Sequence, residues 1–207
     1  MKILITSGPT REKLDPVRFL SNRSTGKMGY ALAEAAVASG WEVTLVSGPV
    51  ALTPPEGVAH TIQVESASEM AEAVWQAAPE QDVIIMAAAV ADYRPAQVSA
   101  GKIKKQPGDM VLVLERTPDI LAELGRRKPV GQLLVGFAAE TDDLLDNAQS
   151  KMERKNLDWI IANRVEDSFG KNDNQVIMLN SKGGRIDLAK APKKEIAGAI
   201  LRHIMEK

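Results

Sequence analysis

The sequence predicts an α/β fold, a mostly parallel sheet with helices on both faces, and three observations carry that reading. Short apolar runs, Ile3 to Thr6, Glu42 to Val46, His60 to Val64 and Val83 to Ala87, alternate with helical stretches from Lys27 to Ser39 and from Ser66 to about Ala78. The runs are nearly continuous, as strands covered on both faces are. Glycine and proline punctuate their ends at Gly8-Pro9, Gly40 and Ser47-Gly48-Pro49.

Each element has a local reason. From Gly8 to Ser24 the first connection is far longer than the roughly two to six residues usual between a strand and a helix. Gly40 closes the alanine-rich first helix as a C′ residue. Ser66-Ala67-Ser68-Glu69 has capping-box spacing. Ala88 to Pro107 reads as a long polar loop, Met110 to Leu114 as a strand, and Asp119 to Arg127 as a short helix entered through Pro118. Leu133 to Ala138 is a buried strand. Asp142 to Lys155 is a helix with acids at its start and bases at its end, matching its dipole. Asp158 to Ala162 is a strand and Gly170 to Asn174 a turn-rich loop. Gln175 to Leu179 and Arg185 to Leu188 form an added C-terminal β-hairpin that turns at Lys182-Gly183-Gly184, and Pro192 to Met205 is the last helix. No repeat, low-complexity linker or second domain boundary interrupts the chain, so residues 1–207 are expected to form one domain.

Composition removes several function classes. At 207 residues the chain can bury a proper core. A net charge of −1, without long basic or acidic blocks, argues against nucleic acid or a membrane surface as the main partner. The absence of cysteine excludes disulfides and thiolate chemistry. Met1-Lys2 runs straight into a strand, leaving no room for a signal peptide, and no apolar run is long enough to cross a bilayer. A cytoplasmic protein is expected.

The stretch from Arg18 to Gly29 is the leading candidate site. It lies at the carboxyl edge of the first strand, where anions meet the free amides of a helix start, and the long first loop carries Arg11, Arg18, Asn22, Arg23 and Lys27. It is not a Walker A loop: Ser21 stands where the first glycine belongs and Met28 where the magnesium-binding hydroxyl belongs. Nor is it a dinucleotide fingerprint, since Thr6 to Arg11 lacks the spaced glycines and the second strand ends in Ser47 rather than an acid. What remains is more general. Ser24 or Thr25 can cap the helix, Gly26 and Gly29 admit close backbone approach, and the amides can face an anion. The plain alternative is a capped helix with packing glycines.

Other residues divide in the same way. Lys102-Ile103-Lys104-Lys105 is either the solvated edge of a loop or a lid that neutralises a polyphosphate. Lys151 and Lys155 share a helix face, which their role in completing the helix dipole explains. Asp92 and Asp119, near strand ends, suit ribose hydroxyls, a metal or simple caps. His60 and His203 make no metal site, and Ser-His-Asp, H-E-x-x-H and Tyr-x-x-x-Lys patterns are missing.

Together, several stretches resemble the phosphopantothenate–cysteine ligase (phosphopantothenoylcysteine synthetase) family of coenzyme A biosynthesis. They are Thr6 to Glu12, Leu14 to Arg18, Ser21 to Gly29, Ala87 to Tyr93, Lys102 to Lys105, Pro118 to Ile120 and Gly136 to Thr141. The resemblance implies a Rossmann-like three-layer sandwich and, for bacterial members, use of CTP with Mg2+. The carboxylate of 4′-phosphopantothenate attacks the α-phosphorus, giving an acyl-cytidylate and pyrophosphate, and the amine of L-cysteine then displaces CMP. It also implies roles. Asn22 contacts the activated acyl centre and supports the cysteine step, Arg18 belongs to that same half of the reaction, and Lys102 serves acyl-cytidylate formation. Met86, Ala87, Ala88, Asp92, Phe137, Lys151 and Lys155, with Pro118, Asp119, Ile120 and Leu121, surround CTP. The helix start at Asn22, Ser24, Thr25, Gly26 and Lys27 serves phosphopantothenate and the acyl-phosphate. No direct metal ligand is implied. A homodimer is implied, as is kinship with proteins fused to a flavin-dependent decarboxylase domain, which the sequence does not contain. An ATP-using ligase of the eukaryotic type and a silent nucleotide-binding subunit are the alternatives.

Overall fold

Two turns of β–α–β alternation build the first half of the protein, a computed structural model that describes residues 1–164 and 171–206. Strand β1 (Lys2–Ser7) leads through a small hairpin, β2 (Arg11–Lys13) and β3 (Phe19–Ser21), into α1 (Lys27–Ala38). β4 (Glu42–Ser47), β5 (His60–Gln63), α2 (Ala67–Ala77) and β6 (Val83–Met86) follow. A second hairpin, β7 (Tyr93–Pro95) with β8 (Leu114–Arg116), precedes α3 (Ile120–Arg127), β9 (Leu133–Glu140), α4 (Leu144–Arg154) and β10 (Trp159–Arg164). β11 (Asp173–Asn180), β12 (Arg185–Pro192) and α5 (Lys193–Met205) complete it.

Eight strands form one sheet in the order β12-β11-β10-β9-β6-β1-β4-β5. Six are parallel, and β11 and β12 extend the sheet antiparallel, as the expected C-terminal hairpin. Alternating residues of each central strand serve two separate cores. Ile3 and Ile5 of β1 pack with α1 and α5 through Leu32, Ala36, Ile196 and Ile200. Leu4 of the same strand packs with α2, α3 and α4 through Met70, Val74, Leu124 and Met152. The result is the three-layer, mostly parallel Rossmann-like sandwich, and each fully buried aliphatic side chain contributes roughly 1.5–3 kcal/mol.

The expected boundaries hold for most elements, and the departures have physical causes. The long first connection is not irregular throughout: β2 and β3 pair from Arg11↔Ser21 to Lys13↔Phe19, with Arg11 lying 4.5 Å above the Phe19 ring. The strand expected at Met110 to Leu114 instead begins at Leu114, pairing Tyr93↔Arg116 and Pro95↔Leu114. Its apolar residues have no core to enter, and Val111 is 86% exposed. Ser66 and Glu69 form the expected capping box, and Glu12 of β2 adds its carboxylate to the Ala67 amide at 2.9 Å. Gly170, the start of the expected turn-rich loop, lies outside the described residues.

Candidate active site

The strand order reverses at β1, whose neighbours are β4 on one side and β6 on the other. Helices leaving those strands diverge to opposite faces there, so the carboxyl ends open a crevice, the usual ligand position in such sheets. A cavity of about 670 Å³ occupies it. Its floor continues the sheet past the last residues of β1 and β6. Ala89 donates its amide to Gly8 O (2.9 Å), Thr10 donates to Ala89 O (3.3 Å), and Pro9 bridges Ala89. The hydroxyls of Thr6 and Thr10 accept from the amides of Ala88 (3.1 Å) and Ala91 (2.9 Å).

One wall is the start of α1. The residue ahead of the helix is Gly26, at φ 76°, and no described side chain caps the helix. This corrects the expectation for Ser24 and Thr25: the Ser24 hydroxyl accepts the Gly26 amide at 3.3 Å and goes no further into the first turn. Gly26 is held instead by Ser7, whose hydroxyl donates to its carbonyl at 2.9 Å. A Cβ on Gly26 would collide with Val50 in addition to straining the backbone. First-turn amides without a side-chain cap, facing a cavity, are an anion-binding arrangement. Asn22 closes this wall against the floor, its Nδ2 donating to Ala89 O (3.0 Å) and Val90 O (3.3 Å).

The opposite wall comes from α3 and α4. Asp119 caps α3 by accepting the Ala122 amide at 3.0 Å and pairs with Lys155 at 2.9 Å. Burial alone would raise its pKa, but the Lys155 ammonium and the Ala122 amide hold it below the ordinary carboxylate value. Lys151, one turn earlier on the same face, donates to Phe137 O at 2.8 Å. Both lysines therefore sit near the helix C-terminus, where the dipole favours them, and also line the cavity.

The cavity gathers nearly all the expected positions. Asn22 and Ser24 to Lys27 line it from one side, Met86 to Ala88 and Asp92 from the floor, and Pro118 to Leu121, Phe137, Lys151 and Lys155 from the other. Arg18 and Lys102 are not among its lining residues. Arg18 pairs with Asp15 and donates to Ile103 O at 2.9 Å, which ties the first loop to the one carrying Lys102. The structure adds Arg116, Asn163, Asn174 and Lys193 to the lining. Asn163, at the end of β10, could have been found from its strand-end position. Asn174 and Lys193 carry no local signal, because the antiparallel extension of the sheet brings them there. Lys193 is buried, and burial and the nearby Lys27 charge lower its pKa, with Asp173 opposing.

An open α/β sheet with a cationic cavity at its topological switch point, walled on one side by a helix start, is an architecture suited to phosphorylated ligands. The particular family follows from comparison with known proteins. The DNA/pantothenate metabolism flavoprotein C-terminal domain matches residues 1–207, and the chain belongs to that family. It is 50% identical over 205 residues to the coenzyme A biosynthesis bifunctional protein CoaBC of Bacillus subtilis, covering 98% of this chain and 50% of that protein. It is 48% identical over 207 residues to a cysteine/cysteine sulfinic acid decarboxylase from an unknown prokaryotic organism, covering 99% of this chain and 58% of that protein. The crystal structure of the C-terminal domain of a CoaBC protein superposes with a TM-score of 0.84 at 51% identity, covering 98% of this chain and 93% of that one. The chain thus spans about half the length of the curated relatives it matches.

Proposed function

We propose that this chain catalyses the CTP-dependent joining of 4′-phosphopantothenate and L-cysteine, the ligase step of coenzyme A biosynthesis. The observation that supports this best is the convergence, in one cavity, of residues from Asn22 to Lys155 that the family resemblance connects to nucleotide and acyl groups. The CoaBC relatives add a matching pathway. In the first half-reaction a carboxylate oxygen of phosphopantothenate bonds to the α-phosphorus, and the bond to pyrophosphate breaks. In the second, the cysteine nitrogen bonds to the acyl carbon, CMP leaves with the bonding pair, and the amine proton passes to solvent. Both halves move negative charge between phosphoryl oxygens, so fixed cations and amides matter more than an acid–base pair. Lys151, Lys155, Arg116 and the α1 amides supply them. Cytidine lies against Ala88, Asp92 and Phe137, and Asn22 faces the acyl group.

Magnesium enters this reading with the nucleotide. Among the described residues no group of three or more His, Asp or Glu side chains could enclose a metal. Single carboxylates beside a triphosphate fit magnesium, which takes one or two protein oxygens plus phosphate oxygens and water. Asp92 and Asp119 are the carboxylates of the cavity lining, and Asp119 is already engaged by Lys155. When bound, the ion neutralises phosphate charge.

A second copy of the chain and a flavin-dependent decarboxylase are the proposed partners. The exposed apolar ribbon from Met110 to Leu114 supports the first, and the bifunctional relatives support the second. Among the described residues no helix is long and apolar enough to cross a membrane. Incubation with phosphopantothenate, cysteine and each nucleotide is the test. Release of CMP and pyrophosphate with CTP alone is the expected result. AMP release with ATP would select the ATP-using alternative, and no acyl-nucleotide with either would leave a silent binding subunit.

A further inference from the structure

The turn between β2 and β3 contains a carboxylate that the turn itself does not need. Asp15 is fully buried at its side chain, while Pro16, Val17 and Arg18 beside it are exposed. Its Oδ1 accepts the amides of Val17 and Arg18, each at 2.8 Å, which is all that an aspartate-stabilised turn requires. Its Oδ2 is used differently. It accepts the Arg18 guanidinium and, at 3.1 Å, the amide of Ile103, 88 residues away. Arg18 Nη2 then donates to the carbonyl of the same Ile103 at 2.9 Å. One residue of the distant loop thus has its N–H and its C=O gripped by a single ion pair. A further bond, Ser99 N–H to Leu14 O at 3.0 Å, fastens the loop just upstream.

Burying a carboxylate is costly unless paired and hydrogen-bonded, and an asparagine or serine would serve the turn without that cost. The second oxygen is explained by what it holds. From these contacts we infer that Asp15 is a positioning residue for Lys102, acting with Arg18 as a clamp on the Ile103 peptide that sets the root of the lysine-bearing loop. The inference rests on the proposed ligase reading and on the role in acyl-cytidylate formation that the family resemblance implies for Lys102. A loop rooted in advance loses less conformational freedom when its lysine engages an anion. The clamp also assigns Arg18 a task, since Arg18 itself does not line the cavity. The Arg18 guanidinium, then the surrounding amides, hold the Asp15 carboxyl far below the usual carboxylate range against the opposing effect of burial, so the clamp stays charged at neutral pH.

The test uses the whole chain with phosphopantothenate and CTP, cysteine withheld, and follows pyrophosphate release in Asp15→Asn, Lys102→Gln and the double variant. Asparagine keeps the turn acceptor and turns a donor toward Arg18 and the Ile103 amide. Ile103→Pro is the second variant: it deletes the clamped N–H on a partly exposed loop and leaves the Asp15–Arg18 pair intact. Roughly 10- to 100-fold slower release is expected for Asp15→Asn and Ile103→Pro, the usual cost of a misplaced catalytic group. The double variant should be no slower than Lys102→Gln alone, because each change removes the same contribution. Tryptic cleavage of ligand-free Asp15→Asn after Lys102, Lys104 or Lys105 should quicken on the order of tenfold. Normal release from both clamp variants, or a double variant slowed by the product of the single effects, would overturn the inference while leaving the ligase reading intact. Full-rate release from Lys102→Gln ends the inference together with the role assigned to that lysine. Unchanged cleavage in Asp15→Asn removes the clamp itself.

Discussion

Ser7 and Gly29 touch where β1 gives way to α1, and that contact sets how closely the helix start approaches the sheet edge. A Cβ added at Gly29 would lie 2.5 Å from both Cβ and Oγ of Ser7. Gly29→Ala is therefore expected to cost about 1–3 kcal/mol, read from denaturant unfolding, and to raise the KM for phosphopantothenate as the first-turn amides shift. Unchanged stability would mean that α1 can rotate to accept a methyl group. At Asn22 the polarity of the contact decides. Its Nδ2 donates to two carbonyls, and an aspartate would turn an oxygen toward the same pair. We expect Asn22→Asp to accumulate acyl-cytidylate, seen by acid quench and mass spectrometry; loss of pyrophosphate release in that variant would move Asn22 to the first half-reaction. Asp15 yields a pH prediction with a definite sign. Its folded pKa is depressed, so its contribution to stability is fully present above the ordinary carboxylate pKa of about 4 and fades as pH falls below it. The stability gap between the wild type and Asp15→Asn should be widest near about pH 7 and narrow in acid.

Helix α2 illustrates how local signals and distant contacts combine in one element. Its capping box is legible in Ser66 and Glu69, and the structure contains it as read. The third cap, Glu12 on the Ala67 amide, comes from 55 residues earlier and no sequence window contains it. Ser66→Ala should thus cost only about 1 kcal/mol in thermal or denaturant unfolding, because Glu12 still serves the helix. A loss several times larger would show that Glu12 depends on Ser66. The β2–β3 hairpin was invisible for the same reason. Three-residue strands carry no periodicity, and this pair is held by Asp15 in the turn and by Arg11 over Phe19. At Met110 to Leu114 the pattern misled in the opposite direction. Apolar residues that promise a buried strand are exposed, because the strand starts only at Leu114 and pairs with a ribbon outside the main sheet.

For the whole molecule, the sheet's architecture was readable because each strand–helix pair carries its own hydrophobic pattern. The cavity was readable only in part. Resemblance brought together Asn22, Asp92, Phe137 and Lys155, but the lining by Asn174 and Lys193 depends on β11 and α5 folding back across the sheet. The exposed Val111 and Val113, with Tyr93 on the paired strand, leave an apolar ribbon whose proposed cover is a second copy. Sedimentation of the chain should report a dimer, and Val111→Asp/Val113→Asp should shift it to monomer; a dimer unchanged by both would place the contact elsewhere.

The rungs that carry the sheet past its last strand residues, from Gly8 and Thr10 to Ala89, have a consequence for how the site works. Parting the two loops they join would break bonds continuous with the centre of the sheet, so the base of the cavity is expected to open only with the sheet itself. Amide protons of Ala89 and Thr10 are then expected to exchange as slowly as those of β1, while those of residues 104–109 exchange from the native state. A ligand entering the cavity would meet a base whose ordering was completed during folding.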